Sequence, residues 1–235
     1  MNPIVHIVCH TDERAKTMPD VIKAWLDNYE GIRVVVSNCS PTNITQIVDW
    51  VSWVPDRETL SRLQCCSFYP DPGNRIRHAV ALAYPGSPVI QADDDVMPLP
   101  GFTEELLKWH KQYPDDFVGV IGRTFKGPEY YGNTTFYAGK KIKEPVRTGF
   151  IGVVYVTGRD LLPFDCSHIE NPYNDLCWQM EFYPSIPKWV VPVTKFANLK
   201  SAKNGLFHDP EARVKRSEFY KKYYLKNYKP RGMEY

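Results

Sequence analysis

The chain is 235 residues long, 43% hydrophobic and 24% charged, and its 29 Lys and Arg against 27 Asp and Glu give a formal net charge of +2. This is enough chain to bury one large core, and it is too apolar and too balanced in charge for a disordered or collagen-like polymer. No basic, apolar leader opens it, no run approaches the roughly 20 apolar residues of a membrane span, and the six cysteines show no C-x-x-C spacing; a zinc ribbon and a dithiol redox motif are thereby excluded, and reduced thiols in a cytoplasmic protein are expected.

Hydrophobic periodicity predicts a buried strand over residues 4–9, a helix over 18–29 with Val21, Trp25 and Leu26 inward, and a second strand over 32–36 after the stop at Gly31. Residues 43–50 read as a short helix running into a strand that ends near Pro55. A helix over 74–84 presents Ile76, Val80 and Ala83 on one face, and Pro85-Gly86 stops it before an apolar strand over 88–92. Beyond Pro100-Gly101, Phe102, Leu106, Trp109 and Tyr113 recur at helical spacing, with Glu104 and Glu105 favourable near the positive end of that helix. The second half has a different texture. A strand over 117–121, a Gly/Tyr/Thr-rich loop or hairpin over 127–139 and a strand over 150–156 precede a stretch broken by Pro163, Pro172, Pro184, Pro187 and Pro192, in which only 174–182 is helix-like. The fold class is therefore α/β, a single domain over 1–235: residues 1–97 form a Rossmann-like half with three or four parallel strands for a nucleotide, and 98–235 an irregular half for an acceptor.

Asp93-Asp94-Asp95 end the apolar strand that closes the first half. Buried parallel strands deliver ligands to the crevice beyond their carboxyl ends, so these carboxylates are expected to face one. Hard oxygen donors suit Mn²⁺ or Mg²⁺, which take one or two protein carboxylates and leave the other positions to water and phosphate. A metal-diphosphate site is the expectation, and a solvated acidic turn the plain alternative.

Asn74-Arg75, a short helix, and a strand ending in Asp93-Asp94-Asp95 resemble the exostosin-type glycosyltransferases of the GT-A fold. Thr11-Asp12-Glu13-Arg14 is similar to that family's Thr-x-x-Arg turn, and Tyr113-Pro114-Asp115 through Val118-Gly119-Val120-Ile121-Gly122-Arg123 to its Phe/Tyr-Pro-Asp and Val-Gly-Phe-x-x-Arg segments. Asn174-Asp175 stands where the family has an acidic pair, and Asn204-Gly205, His208, Glu211 and Arg216-Ser217 keep its order near the end. The resemblance implies a GT-A fold, a mostly parallel sheet, and transfer of a sugar from a nucleotide diphosphate sugar, UDP in similar enzymes, to a hydroxyl, with retention of the anomeric configuration. It implies Asp95 and His208 as metal ligands, and Thr11, Arg14, Asn74, Arg75, Asp93, Asp94 and Arg123 at the nucleotide sugar. Asp175 would face the sugar and Arg216 the departing phosphate as catalytic residues. Asp175 also reads as a helix N-cap, and His208 as a packed histidine.

Residues 215–231 carry seven Lys and Arg against one acid, Glu218, with Tyr220, Tyr223, Tyr224 and Tyr228 interleaved. Such a segment suits a polyanion or the solvated face of a terminal helix. The acceptor is accordingly expected to be a glycan or DNA carrying hydroxymethylated pyrimidines, in a bacterial or bacteriophage-infected cell. Two other classes stay open: a nucleotidyltransferase, although Thr11 to Arg14 lack the glycines of its first turn, and a non-catalytic nucleic-acid-binding module, which leaves the aspartates without a role.

Overall fold

The computed structural model describes residues 2–40, 44–68, 72–73, 75–127, 130, 132, 134–157, 179–180, 185–199 and 210–227. Four parallel strands, β1 (Ile4–Cys9), β2 (Arg33–Asn38), β3 (Leu63–Ser67) and β4 (Val89–Asp93), lie side by side in the order β3-β2-β1-β4. The one-turn α1 (Asp12–Ala15) and α2 (Met18–Asn28) join β1 to β2, α3 (Ile44–Val51) and α4 (Arg57–Ser61) join β2 to β3, and α5 (Arg75–Ala83) joins β3 to β4. The parallel strands expected ahead of the aspartates are thus present. The strand expected near Pro55 is not: α4 and then β3 follow that point, and the half-buried β3 sequence Leu-Gln-Cys-Cys-Ser carries too few large apolar residues to announce a strand.

After β4 come β5 (Val96–Pro98), α6 (Phe102–Gln112), β6 (Phe117–Phe125), β7 (Thr134–Ala138), a 3-10 turn at Gly139–Lys141, β8 (Val146–Thr148), β9 (Phe150–Thr157), β10 (Lys188–Val190), β11 (Phe196–Asn198) and α7 (Pro210–Asn227). Among the described residues they extend the first four strands into one nine-stranded mixed sheet, β3-β2-β1-β4-β9-β6-β10-β8, with β7 also on β6, while β5 and β11 form a separate antiparallel pair. Strand β9 runs antiparallel to both β4 and β6 and welds the two halves together. Within the loop or hairpin expected over 127–139, β7 is a strand that pairs antiparallel with the preceding β6.

The sheet sorts its side chains by parity. Val5, Ile7, Val34, Val36, Ile90 and Ala92 point to one face and pack beneath α2, α3 and α6; Ile4, Val8, Val35 and Val89 point to the other, against Ile76 and Val80 of α5. Helix α2 fits its face because Met18, Val21, Ile22, Trp25 and Leu26 recur at i, i+3, i+4, i+7 and i+8 and are all buried. Asn28 then ties it to α6, accepting from the backbone N–H and the hydroxyl of Thr103 and donating to the Leu99 carbonyl.

Two features shape the carboxyl edge of the sheet. Ile90 and Val118 both oppose Val156, and Arg123 lies five residues beyond Val118 where Asp93 lies three beyond Ile90, so Arg123 stands about two residues, roughly 7 Å, past the level of Asp93 and β6 projects as a wall. Between Tyr155 and Gly152, β9 takes three steps where β6 takes two, and Val153 in that bulge has φ 69°. A β-branched residue in the left-handed region stores about 1–3 kcal/mol of strain, here at the level of Asp93.

Candidate functional site

Strand order reverses between β1 and β4: the chain leaves β1 towards β2 on one side, while β4 continues the sheet on the other. Such a switch point opens a crevice at the carboxyl ends of the two strands. Thr11 and Arg14 follow β1, and Asp93, Asp94 and Asp95 end β4, so five of the residues expected at the site meet there.

Thr11 caps α1: its backbone is extended and its Oγ1 accepts from the Arg14 N–H at 3.2 Å. The capped turn sends the Arg14 side chain back across the crevice, where Nη2 donates to Asp95 Oδ2 at 3.0 Å and Nε lies 3.7 Å from Asp94 Oδ1. From below, the indole N–H of Trp50 donates to the Ala15 carbonyl and fixes the end of that turn. The peptide after β4 is held as well, because Leu199, just beyond β11, donates its N–H to the Asp95 carbonyl.

Asp93 is engaged by a residue that sequence reasoning missed. Arg77, buried on α5, donates to Asp93 Oδ1 at 2.8 Å and to the Ala92 carbonyl at 3.2 Å. Arg75, expected at the nucleotide sugar, donates to the Pro72 carbonyl at the start of the helix. A chain of buried polar groups stands behind Arg77. Gln91 donates to the Arg77 carbonyl and accepts from His6, so His6 carries its proton on Nδ1 and its Nε2 accepts from the Ser37 hydroxyl, at 2.8 and 2.9 Å. Serine and histidine at hydrogen-bonding distance resemble a nucleophile and its base, yet Ser37, His6 and Gln91 are all sealed from solvent. Burial, helped by the charge of Arg77, lowers the His6 pKa to about 3, so it stays neutral and structural. The available signal was a polar residue at one position of each of two otherwise apolar strands, at paired register.

In the crevice, three carboxylates meet two guanidiniums, a formal excess of one negative charge. Its cost falls on Asp94, whose pKa is raised to about 6 by burial first and by Asp95, against the opposing pull of Arg14. Among the described residues, no three His, Cys, Asp or Glu side chains converge as a metal-ligand group. Hard cations such as Mg²⁺ are held by only one or two protein carboxylates, and the excess charge and oxygen donors here fit that kind of site.

Arg123 and Arg216 are brought to each other rather than to the aspartates. Tyr130 lies under both, with guanidinium carbons 5.5 and 5.1 Å from its ring centre; Arg123 also covers Phe136 at 5.6 Å, and Arg216 covers Phe150 at 5.7 Å. Beside them Tyr220 of α7 stacks on Phe125 and donates its hydroxyl to the Gly127 carbonyl, forming a satellite core of Tyr130, Phe150, Met180 and Tyr220. Asn74, Asp175 and His208 lie outside the described residues. No helix among the described residues is long and apolar enough to cross a membrane.

Comparison with known proteins finds no family model that matches the chain and no matching curated protein.

Proposed function

We propose that the chain is a metal-dependent glycosyltransferase of GT-A architecture, taking a nucleotide diphosphate sugar, with UDP-sugar as the first donor to test, and delivering the sugar to a hydroxyl. The observation that carries this reading is the meeting of Arg14 with Asp94 and Asp95 at the β1/β4 switch point. An aspartate cluster in excess over its arginines, at the place where α/β sheets take nucleotides, suits a diphosphate bridged to the protein by a cation.

Asp95, with Asp93 or His208, would hold Mn²⁺ or Mg²⁺, which when bound supplies positive charge to the leaving diphosphate. The chain's own residues do the rest. Arg14 keeps Asp94 and Asp95 oriented and offers a guanidinium to the phosphates, and Arg77 holds Asp93 at the end of its strand. As the acceptor hydroxyl oxygen bonds to the anomeric carbon and the bond to the diphosphate breaks, the hydroxyl proton passes to an oxygen of the departing diphosphate, and the negative charge that develops on the phosphate lies beside Arg14, where a fixed cation is most effective. Asp175 is proposed for the sugar face. A nucleotidyltransferase is less well supported, because the turn after β1 is a Thr-capped helical turn with no glycine.

Thermal unfolding with UDP, with and without Mn²⁺, tests the reading. Ligand at about 100 times its Kd stabilises the native state by about 2.7 kcal/mol, which for a chain of this size raises Tm by about 5–10 °C. The shift is expected only with UDP and Mn²⁺ together, and is lost in Asp95→Ala. An equal shift in EDTA, or one retained by Asp95→Ala, overturns the assignment.

A further inference from the structure

Phe136, Arg123, Tyr130, Arg216 and Phe150 form one alternating ladder of aromatic rings and guanidiniums, every ring-to-cation distance lying between 5.1 and 5.7 Å. Phe150 and Tyr130 are buried, so that end has the character of packing, but Phe136 at the other end is 50% exposed. An exposed phenyl ring already stacked on an arginine contributes little to a core and offers a flat face to a ligand. The ladder adjoins α7 through Tyr130 and Tyr220, whose rings are 5.8 Å apart, and Lys221 and Lys222, next along the helix, are exposed, while Lys215, two turns earlier, is paired with Glu211 at 2.6 Å. A planar stacking platform near exposed lysines is the combination that single-stranded nucleic acids require: base faces on aromatic and guanidinium planes, phosphates on Lys and Arg.

We propose that the Phe136 end of this ladder and the exposed Lys221 and Lys222 of α7 bind single-stranded nucleic acid, and, resting on the glycosyltransferase reading, that this polymer presents the acceptor hydroxyl. The distance is suitable. Arg123 stands roughly 7 Å beyond Asp93 along the strands and two strand spacings aside, about 12 Å in all, which is about three to four stacked nucleotides at about 3.4 Å each. A strand seated on the ladder therefore has one nucleotide within reach of the crevice while its neighbours are held on the wall formed by β6 and β7. A neutral glycan would find stacking here but no use for the cations.

The test is fluorescence anisotropy of a labelled oligo-dT with the full chain across a salt series, beside a sulfated oligosaccharide of equal charge. Oligo-dT is expected to bind with an affinity that falls linearly in log salt. Lys221→Gln with Lys222→Gln should flatten that slope by about 1.4, and Phe136→Ala should weaken binding about tenfold while leaving the oligosaccharide unaffected. The stabilisation by UDP and Mn²⁺ should be unchanged in both variants. Absence of oligo-dT binding at low salt, or binding indifferent to Phe136 and matched by the sulfated oligosaccharide, overturns the proposal while leaving the donor site standing. Oligo-dT binding in a protein that shows no response to UDP and Mn²⁺ would instead support the nucleic-acid surface and remove the glycosyl transfer.

Discussion

The buried histidine of β1 makes the acid stability of this protein a quantitative test of its interior. His6 titrates near its ordinary value of 6.5 when unfolded and at about 3 when folded. Between those values the unfolded chain takes up a proton that the native state refuses, so stability is lost as pH falls through that window. At one pKa unit per 1.36 kcal/mol, bringing the pH from 7.5 to 4.5 should cost about 2.7 kcal/mol from this residue alone. His6→Asn retains an amide donor for Gln91 but has no proton to gain; it should lose about 1–2 kcal/mol at pH 7.5 from the broken bond to Ser37, and it should lack the histidine's share of the acid loss. Urea midpoints of both proteins at pH 7.5 and 4.5 measure this, and with a slope of about 3 kcal/mol per molar the parent should shift by about 0.9 M more than the variant. Identical shifts would mean that His6 is protonated or solvated in the native state and that the chain from Ser37 to Arg77 does not exist as described.

Arg77→Met removes a charged donor from Asp93 and from the Ala92 carbonyl; because Asp93 is 44% exposed, the loss should stay near 2 kcal/mol, seen as a fall in Tm of about 4–8 °C with weaker binding of UDP and Mn²⁺. Gly122→Ala sets a Cβ 2.5 Å from Val190 and 2.7 Å from the Phe150 carbonyl, so it should destabilise by about 1–3 kcal/mol, and an unchanged unfolding midpoint would refute that packing. Tyr220→Ala empties the satellite core under α7; limited trypsin digestion should then cut the helix several-fold faster at its Lys and Arg residues while the sheet persists. Asp175→Asn should reduce sugar transfer by orders of magnitude with nucleotide affinity nearly unchanged, and near-normal turnover would return that residue to helix capping.

Legibility in the sequence followed burial. The strand ending at Asp93 and the helix carrying Val21, Trp25 and Leu26 could be read because their apolar periodicity is a local signal, whereas the turn at Thr11 and Arg14 was legible only through its likeness to a family's turn. Strand β3 could not, since an edge strand needs only one good face and its residues show neither alternation nor bulk. Arg77 was overlooked because only its helical phase carries it to Asp93 and the Ala92 carbonyl of β4, and phase relative to a distant strand has no local signal. The pairing of Arg123 with Arg216 through Tyr130 depends on contacts between residues distant in the chain, which no local pattern encodes.

The position of β9 has a consequence for the nascent chain. Strand β4 is made early, yet its outer edge is closed only by β9. At about 5–20 residues per second the ribosome leaves that edge open for roughly 3–13 s, and Val89-Ile90 on an unpaired edge would template pairing with another growing chain. The three carboxylates at its tip guard against this, since stacking identical copies in register would bring like charges together. The aspartates thus serve as gatekeepers of assembly before the second half of the protein has emerged.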